Sequence, residues 1–273
     1  MRRITFGNTS EKIPILGQGT YGIFPDQSEK NYENWRKVLR RGIELGMTHI
    51  DTAEMYGDGY SEKIVGEVAK EYEREDLFIT TKMLPSRKTD SQMERAINKS
   101  LERLDMDYVD LYLIHWIEGD SNLKKIMKNF ETFINKGKTR YIGVSNFSVD
   151  QVKEAQKYLK EYSLETNQVK FNIIIQDQLK KFDYYKKNNI TITAYTPLAK
   201  GNLNGLPNEK MGIVEGLADK YNSTKLQITL SWVINQKNVI AIPRTSNIKH
   251  LEENTRASNI NLTDREIKKL SIS

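Results

Sequence analysis

Four ionisable side chains stand at or just beyond the ends of short apolar runs in the first half of the chain: Asp51 closes THID, Tyr56 follows in AEMYGDG, Lys82 closes FITTK and His115 closes LYLIH. Taken singly, each has a structural explanation: a helix-capping Asp, a loop Tyr, a surface Lys opening a turn, a His satisfied by a backbone carbonyl. Together they suit proton transfer. An unperturbed tyrosine has a pKa of about 10, too high for a ready proton donor at neutral pH, and a neighbouring cation lowers it by about one to three units. Lys82 could supply that field, with Asp51 holding Lys82 charged and in place. Tyr56 is then the candidate general acid, and His115 the group that orients a carbonyl and shares in the proton relay. A strand-end lysine also admits a second chemistry, Schiff-base formation as in an aldolase or other barrel lyase, with Lys82 as nucleophile.

These groups come from distant parts of the chain, so a fold must gather them. Short β-branched or apolar runs alternate with longer stretches of helical spacing, the signature of parallel βαβ units. Eight strands are expected, at 15–19, 48–52, 77–82, 108–115, 141–145, 166–169, 190–195 and 239–243. Amphipathic segments lie between them at 28–45, 91–104, 123–136, 148–161, 175–188 and 224–236, and Ser61, Ser148 and Thr224 are candidate helix N-caps. The expected fold is a (β/α)8 TIM barrel spanning residues 1–273 as one domain, although a doubly wound open sheet shows the same alternation. RRITFGNTSEKIPIL, with a turn at Gly7-Asn8, predicts a small N-terminal β-hairpin capping the barrel floor. In a barrel the strand ends share one face, so an acid, an amine and an imidazole from three successive strands would meet there. A loose segment from Lys200 to Lys210 is expected to be a loop near that face.

Composition narrows the partners. The 273 residues include no cysteine and three scattered histidines, His49, His115 and His250, so neither a disulfide, a thiolate site nor a zinc cage is expected, and no metal. A net charge of +6 is spread among acidic neighbours along helical stretches, which reads as solvated surface and predicts no nucleic-acid partner. Mean hydropathy is −0.63 and no apolar run reaches the roughly 18 residues of a spanning helix. The start MRRITFGNT lacks the apolar stretch of a signal peptide, so a cytoplasmic monomer acting on a small molecule is the expectation.

Further strand ends offer a nucleotide site. Ser145, Asn146 and Gln168 carry the donors and acceptors that a carboxamide needs, though Ser145-Asn146 equally suits a turn or helix cap. Tyr195 ends TITAY, where its ring could stack on a flat heterocycle or fill the core. GQGTYG is not a dinucleotide fingerprint, because it lacks the βαβ spacing that gives the motif its meaning.

The chain resembles the aldo-keto reductases through nearly all of its length. The motifs appear in order: LGQGTYG (16–22), HIDTAEMYG (49–57), TK (81–82), LIHW (113–116), IGVSNF (142–147), NQV (167–169), AYTPLAKG (194–201) and IPRTSNIKHLEEN (242–254). The resemblance implies that Asp51, Tyr56, Lys82 and His115 form a catalytic tetrad reducing small aldehydes, ketoaldehydes or sugar-derived carbonyls by hydride transfer. It implies a cofactor, NADPH and possibly also NADH, lying across the strand ends. Thr20, Tyr21, Ser145, Asn146, Gln168 and Tyr195 would meet its nicotinamide half, Arg244, Thr245, Glu253 and Asn254 its adenosine half, and Leu198 would also contact the cofactor. His250 replaces the Arg of many NADP-preferring members, which predicts NADPH preference with reduced discrimination against NADH. Tyr21, Tyr56 and Trp116, with residues near Met83 and Leu84, would line the substrate pocket. Ile117 replaces a common Pro. The sequence stops at Ser273 soon after DREIKKL, so no long C-terminal loop is expected over an open pocket. Some relatives are non-catalytic, cofactor-binding regulatory subunits, which gives a third reading.

Overall fold

The computed structural model describes residues 1–25, 28–119 and 121–271. An antiparallel hairpin, β1 (Arg3–Thr5) and β2 (Lys12–Pro14), precedes everything else. Gly7 turns the chain between them at φ 57°, and its amide donates to Thr191 Oγ1 at 2.9 Å, which fastens the turn to the base of the sheet.

Eight parallel strands follow in consecutive spatial order: β3 (Gln18–Gly19), β4 (His49–Asp51), β5 (Phe78–Met83), β6 (Val109–Ile114), β7 (Thr139–Ser145), β8 (Leu164–Lys170), β9 (Thr191–Tyr195) and β10 (Val239–Ile242). The sheet closes on itself. Leu16 bridges Ala241 in parallel, and Gly17 N to Ala241 O, Ala241 N to Ile15 O and Gly19 N to Pro243 O carry the closing hydrogen bonds. A closed barrel, not an open doubly wound sheet, is therefore the architecture. The first strand is shorter than expected because only two of its residues pair with β4.

The helices are α1 (Glu29–Glu44), α2 (Tyr60–Ala69), α3 (Asp90–Leu104), α4 (Leu123–Asn135), α5 (Val149–Tyr158), α6 (Phe182–Lys187), α7 (Asn208–Lys220), α8 (Lys225–Ile234), α9 (Ile248–Ala257) and α10 (Asp264–Leu270). Ser148 and Thr224 head reciprocal capping boxes with Gln151 and Gln227, as their S/T-x-x-Q spacing predicts. Ser61 does not cap: Gly59, at φ 84°, starts the helix two residues earlier and leaves Ser61 buried within it. The expected helix at 175–188 is a 3-10 turn, Leu179–Lys181, followed by the short α6. The loop expected to run to Lys210 ends at Pro207, where α7 begins.

The apolar interior has two parts. A large cluster fills the space between sheet and helices, while Phe6, Ile13, Phe78, Leu111, Leu113 and Ile240 form a plug that includes both arms of the hairpin segment. The hairpin thus seals the floor. Hydroxyls lie deeper in the barrel, with Thr166 Oγ1 2.8 Å from Thr193 Oγ1 and Thr80 Oγ1 3.0 Å from His49 Nε2. Among the described residues no helix is long and apolar enough to cross a membrane.

Candidate active site

Strand register sets the site. Asp51 is the last residue of β4 and Lys82 lies one residue from the end of β5, with Asp51 paired to Thr80. The chain leaves β4 through Thr52 into a turn in which Tyr56 N donates to Ala53 O, bringing the phenol back over the barrel. His115 follows β6 directly and donates its amide to Met83 O. Behind β5, the buried Glu62 of α2 accepts from Thr81 Oγ1 and Arg103 Nε, which pins the strand beside Lys82.

The Lys82 ammonium uses all three of its donors: Asp51 Oδ1 at 2.6 Å, Thr52 O at 2.8 Å and Tyr56 OH at 3.2 Å. Asp51 and Lys82 are fully buried, so each charge depends on the other. Burial favours the neutral amine, but the Asp51 charge and the Tyr56 phenol outweigh it and raise Lys82 above its ordinary value. For Tyr56 burial wins: its hydroxyl lies above the usual tyrosine range despite the opposing pull of Lys82. The net lowering expected from Lys82 does not occur in the free protein, because the site withdraws the phenol from water more strongly than the ammonium stabilises its anion. Burial, followed by the Lys82 charge, depresses His115 to about 3, so its imidazole is neutral at physiological pH.

A groove of about 860 Å³ runs over the strand ends, from Tyr21, Tyr56, His115 and Trp116 to Arg244, His250 and Asn254. Lys82 does not line it; Asp51 and Tyr56 stand in between. Polar groups along the groove form one network. Ser145 Oγ donates to Gln168 O, Asn146 Nδ2 to His115 O, Tyr195 OH to Asn146 Oδ1, and Gln168 Nε2 to Asp51 Oδ2 at 2.7 Å. Thr20 donates both its amide and its hydroxyl to Asp51 O, while Ser61 Oγ bridges the Thr20 and Thr52 hydroxyls.

The sequence model described as "Aldo/keto reductase family" matches residues 15–272. The chain belongs to the aldo-keto reductases. It is 36% identical over 261 residues to a methylglyoxal reductase of Escherichia coli, covering 93% of this chain and 89% of that protein. It is 33% identical over 262 residues to a glyoxal reductase of Bacillus subtilis, covering 95% and 88%. Among solved structures, a thermostable aldo-keto reductase in complex with the inhibitor epalrestat superposes with a TM-score of 0.93 at 37% identity, over 99% of this chain and 98% of that one. An aldo-keto reductase from Klebsiella pneumoniae, solved with NADP and acetate, gives 0.88 at 30% identity, over 98% and 93%. The chain is accordingly an NAD(P)H-dependent oxidoreductase that acts on carbonyls.

Within this reductase the groove brings together Asp51, Tyr56, His115, Trp116, Thr20, Tyr21, Ser145, Asn146, Gln168, Tyr195, Leu198, Arg244, Thr245, His250, Glu253 and Asn254, all of them singled out in the sequence. Met83 and Leu84 are not among its walls. Met83 is fully buried, and the Leu84 amide is held by Glu54 Oε1 at 2.7 Å. The lining also includes two exposed apolar side chains with no role assigned from sequence, Phe24 and Met55. Their signal was adjacency: each lies within three residues of a pocket tyrosine. Lys82, with three hydrogen bonds, no access to the groove and a raised pKa, is poorly suited to attack a carbonyl, which counts against Schiff-base chemistry.

Proposed function

We propose that this chain reduces a small aldehyde, ketone or ketoaldehyde with NADPH, Tyr56 giving the proton. The observation that carries this reading is the Lys82 ammonium, bonded at once to Asp51 and to the Tyr56 hydroxyl beneath an open groove. Bound dinucleotide supplies the hydride. Tyr56 then passes its proton to the carbonyl oxygen, and Lys82 holds the charge left on the phenolate until solvent restores the proton. His115, being neutral, acts as a hydrogen-bond donor that orients the carbonyl oxygen and not as an acid.

Support for the cofactor comes from the groove's own chemistry. Ser145, Asn146 and Gln168 gather amide and hydroxyl groups at one place, Tyr195 offers a half-buried ring beside them, and Arg244 carries a guanidinium that no carboxylate neutralises among the described residues. A ribose 2′-phosphate would satisfy that charge, with the Thr245 hydroxyl on the same stretch of the groove. His250 stands where an arginine would add a permanently charged fork, so NADH is accepted more weakly and not refused. The aromatic rim of Tyr21, Phe24 and Trp116 favours compact carbonyls that expose an oxo group to Tyr56, in keeping with relatives that reduce methylglyoxal and glyoxal.

The test follows loss of reduced-nicotinamide absorbance with NADPH and then NADH against a panel of small aldehydes and ketoaldehydes, with Tyr56→Phe in parallel. Turnover that the variant loses is expected. Turnover retained at half the native rate or more rules out Tyr56 as the acid, and NADPH binding without turnover favours a regulatory subunit.

A further inference from the structure

Arg244 belongs by sequence to the far end of the groove, yet its side chain reaches back toward the reacting tyrosine. Its Nε donates to the carbonyl oxygen of Tyr21 at 2.7 Å, and its guanidinium carbon lies 5.1 Å from the centre of the Trp35 ring. Trp35 is buried in α1 and gives that cation a rigid base. Gly22 makes the approach possible. A Cβ there would stand 2.3 Å from Arg244 Nη2, and Gly22 sits at φ 110°, where side chains are disfavoured. The guanidinium thus lies close against the backbone at Tyr21 and Gly22.

The segment 19–24 forms one wall of the site. The Tyr21 ring packs edge-on against Tyr56 at 5.3 Å and against Phe24 at 6.0 Å, and is itself more than half exposed. Gly19 N to Pro243 O, Thr20 N to Asp51 O and Tyr32 OH to Phe24 O hold the two ends of the segment, with a long Ile23 N to Thr20 O bond of 3.4 Å across its turn. Arg244 therefore supplies a main tether of the Tyr21 carbonyl. Its two terminal nitrogens make no hydrogen bond among the described residues and remain available for a bidentate oxyanion.

We propose that Arg244 is a positioning residue that ties a phosphate monoester at the start of α9 to the backbone of Tyr21, so that a cofactor 2′-phosphate orders the wall beside Tyr56. The inference rests on the NADPH reading above. An anion on the terminal nitrogens fixes the guanidinium; through Nε it fixes the Tyr21 carbonyl, and ordering of the segment lowers the entropic cost of placing a carbonyl substrate against it. By linkage, a ligand that orders the segment tightens the phosphate by the same factor. Lysine at this position keeps the charge but has no planar fork, and so cannot hold the phosphate and the Tyr21 carbonyl in one rigid unit.

Amide hydrogen exchange of peptides covering 20–24 tests this without turnover, using 2′,5′-ADP and 5′-ADP at matched occupancy. In the native protein 2′,5′-ADP is expected to slow exchange there by about fivefold or more beyond 5′-ADP, the lower end of ordinary coupling between sites. Arg244→Lys should still bind 2′,5′-ADP but lose that extra protection. Gly22→Ala, which leaves Arg244 in place but obstructs its path, should lose it too while retaining a cooperative thermal transition. Equal protection by the two nucleotides, or full protection in Arg244→Lys, overturns the coupling. Failure of 2′,5′-ADP to bind while NADH still binds overturns the coupling and leaves the reductase reading intact; failure of every nucleotide and dinucleotide to bind overturns both.

Discussion

Gln168 donates from Nε2 to Asp51 Oδ2 at 2.7 Å, the carboxylate oxygen that Lys82 leaves open. Asp51 is clamped from both sides, and the amide that faces the expected carboxamide site also touches the buried ion pair. Gln168→Leu should therefore raise the KM for cofactor and lower kcat together. Loss of a hydrogen bond to a charged group costs about 1.5–3 kcal/mol, or roughly ten- to a hundredfold. Initial-rate kinetics decide: a change in KM alone would confine Gln168 to cofactor contact.

The balance at Tyr56 has a pH consequence. With Tyr56 as the proposed acid, reduction is expected to hold through neutral pH and to fall as Tyr56 ionises, while oxidation of the alcohol, which uses the phenolate, is expected to rise over the same range. Because burial outweighs Lys82, the alkaline limb of the free enzyme should lie above the ordinary tyrosine value of about 10. Lys82→Met removes the only downward pull of the pair and should move the limb higher, with a loss in kcat of about a hundredfold or more. It also strands the Asp51 charge, at a cost of about 3–5 kcal/mol in stability. A pH profile of kcat/KM with a non-ionising aldehyde checks the limb; one centred below pH 9 contradicts the reading.

The barrel was legible because each strand is a short apolar run and each crossover a longer amphipathic one, and the clustering of Asp51, Tyr56, Lys82 and His115 because three of them fall at strand ends and Tyr56 in the loop after β4. Ser148 and Thr224 announce their caps through glutamines three residues on. Ser61 has Ile64, not a glutamine, three residues on, and Gly57, Asp58 and Gly59 all take positive φ and turn the chain early, so the hydroxyl points inward to Thr20 and Thr52. Helix α7 escaped notice because NEKMGIVEG is only weakly amphipathic and two of its glycines suit a loop. The sign of the Tyr56 shift was beyond reach for another reason. Residue types reveal that a cation can stand nearby, but the depth of burial that opposes it arises only when β4, β5 and β6 are assembled.

His49 lies below Asp51 on the same strand, fully buried, with Nε2 on Thr80 Oγ1 and Nδ1 without a hydrogen bond among the described residues. Burial depresses it to about 4, with Asp51 opposing and Lys82 assisting. Above the unfolded value of about 6.5 the imidazole is neutral in both states and stability is independent of its titration. As pH falls from there, the unfolded chain takes up a proton that the native protein refuses until about pH 4, and stability drops by on the order of 3 kcal/mol across that window. Urea unfolding at pH 7 and pH 4.5 should show this loss, and His49→Gln should flatten it while keeping a partner for Thr80. An unchanged slope in the variant would assign the acid lability elsewhere.

His250 opens the first turn of α9, exposed, with its amide on the capping Asn247 Oδ1 and its side chain on the groove beside Arg244 and Thr245. An arginine at this position would bring a permanently charged planar fork to a dianion and add a second charge-assisted contact worth about 1.5–3 kcal/mol. The energy applies only to the cofactor that carries the 2′-phosphate. His250→Arg should therefore raise the ratio of kcat/KM for NADPH over NADH by about tenfold or more, chiefly through a lower KM for NADPH, while kcat with either cofactor stays within about twofold because the reacting end is untouched. Salt gives an independent check: the gain should shrink as ionic strength rises, since the new contact is solvent-exposed. A variant whose NADH parameters move as much as those for NADPH would place His250 against some other part of the dinucleotide.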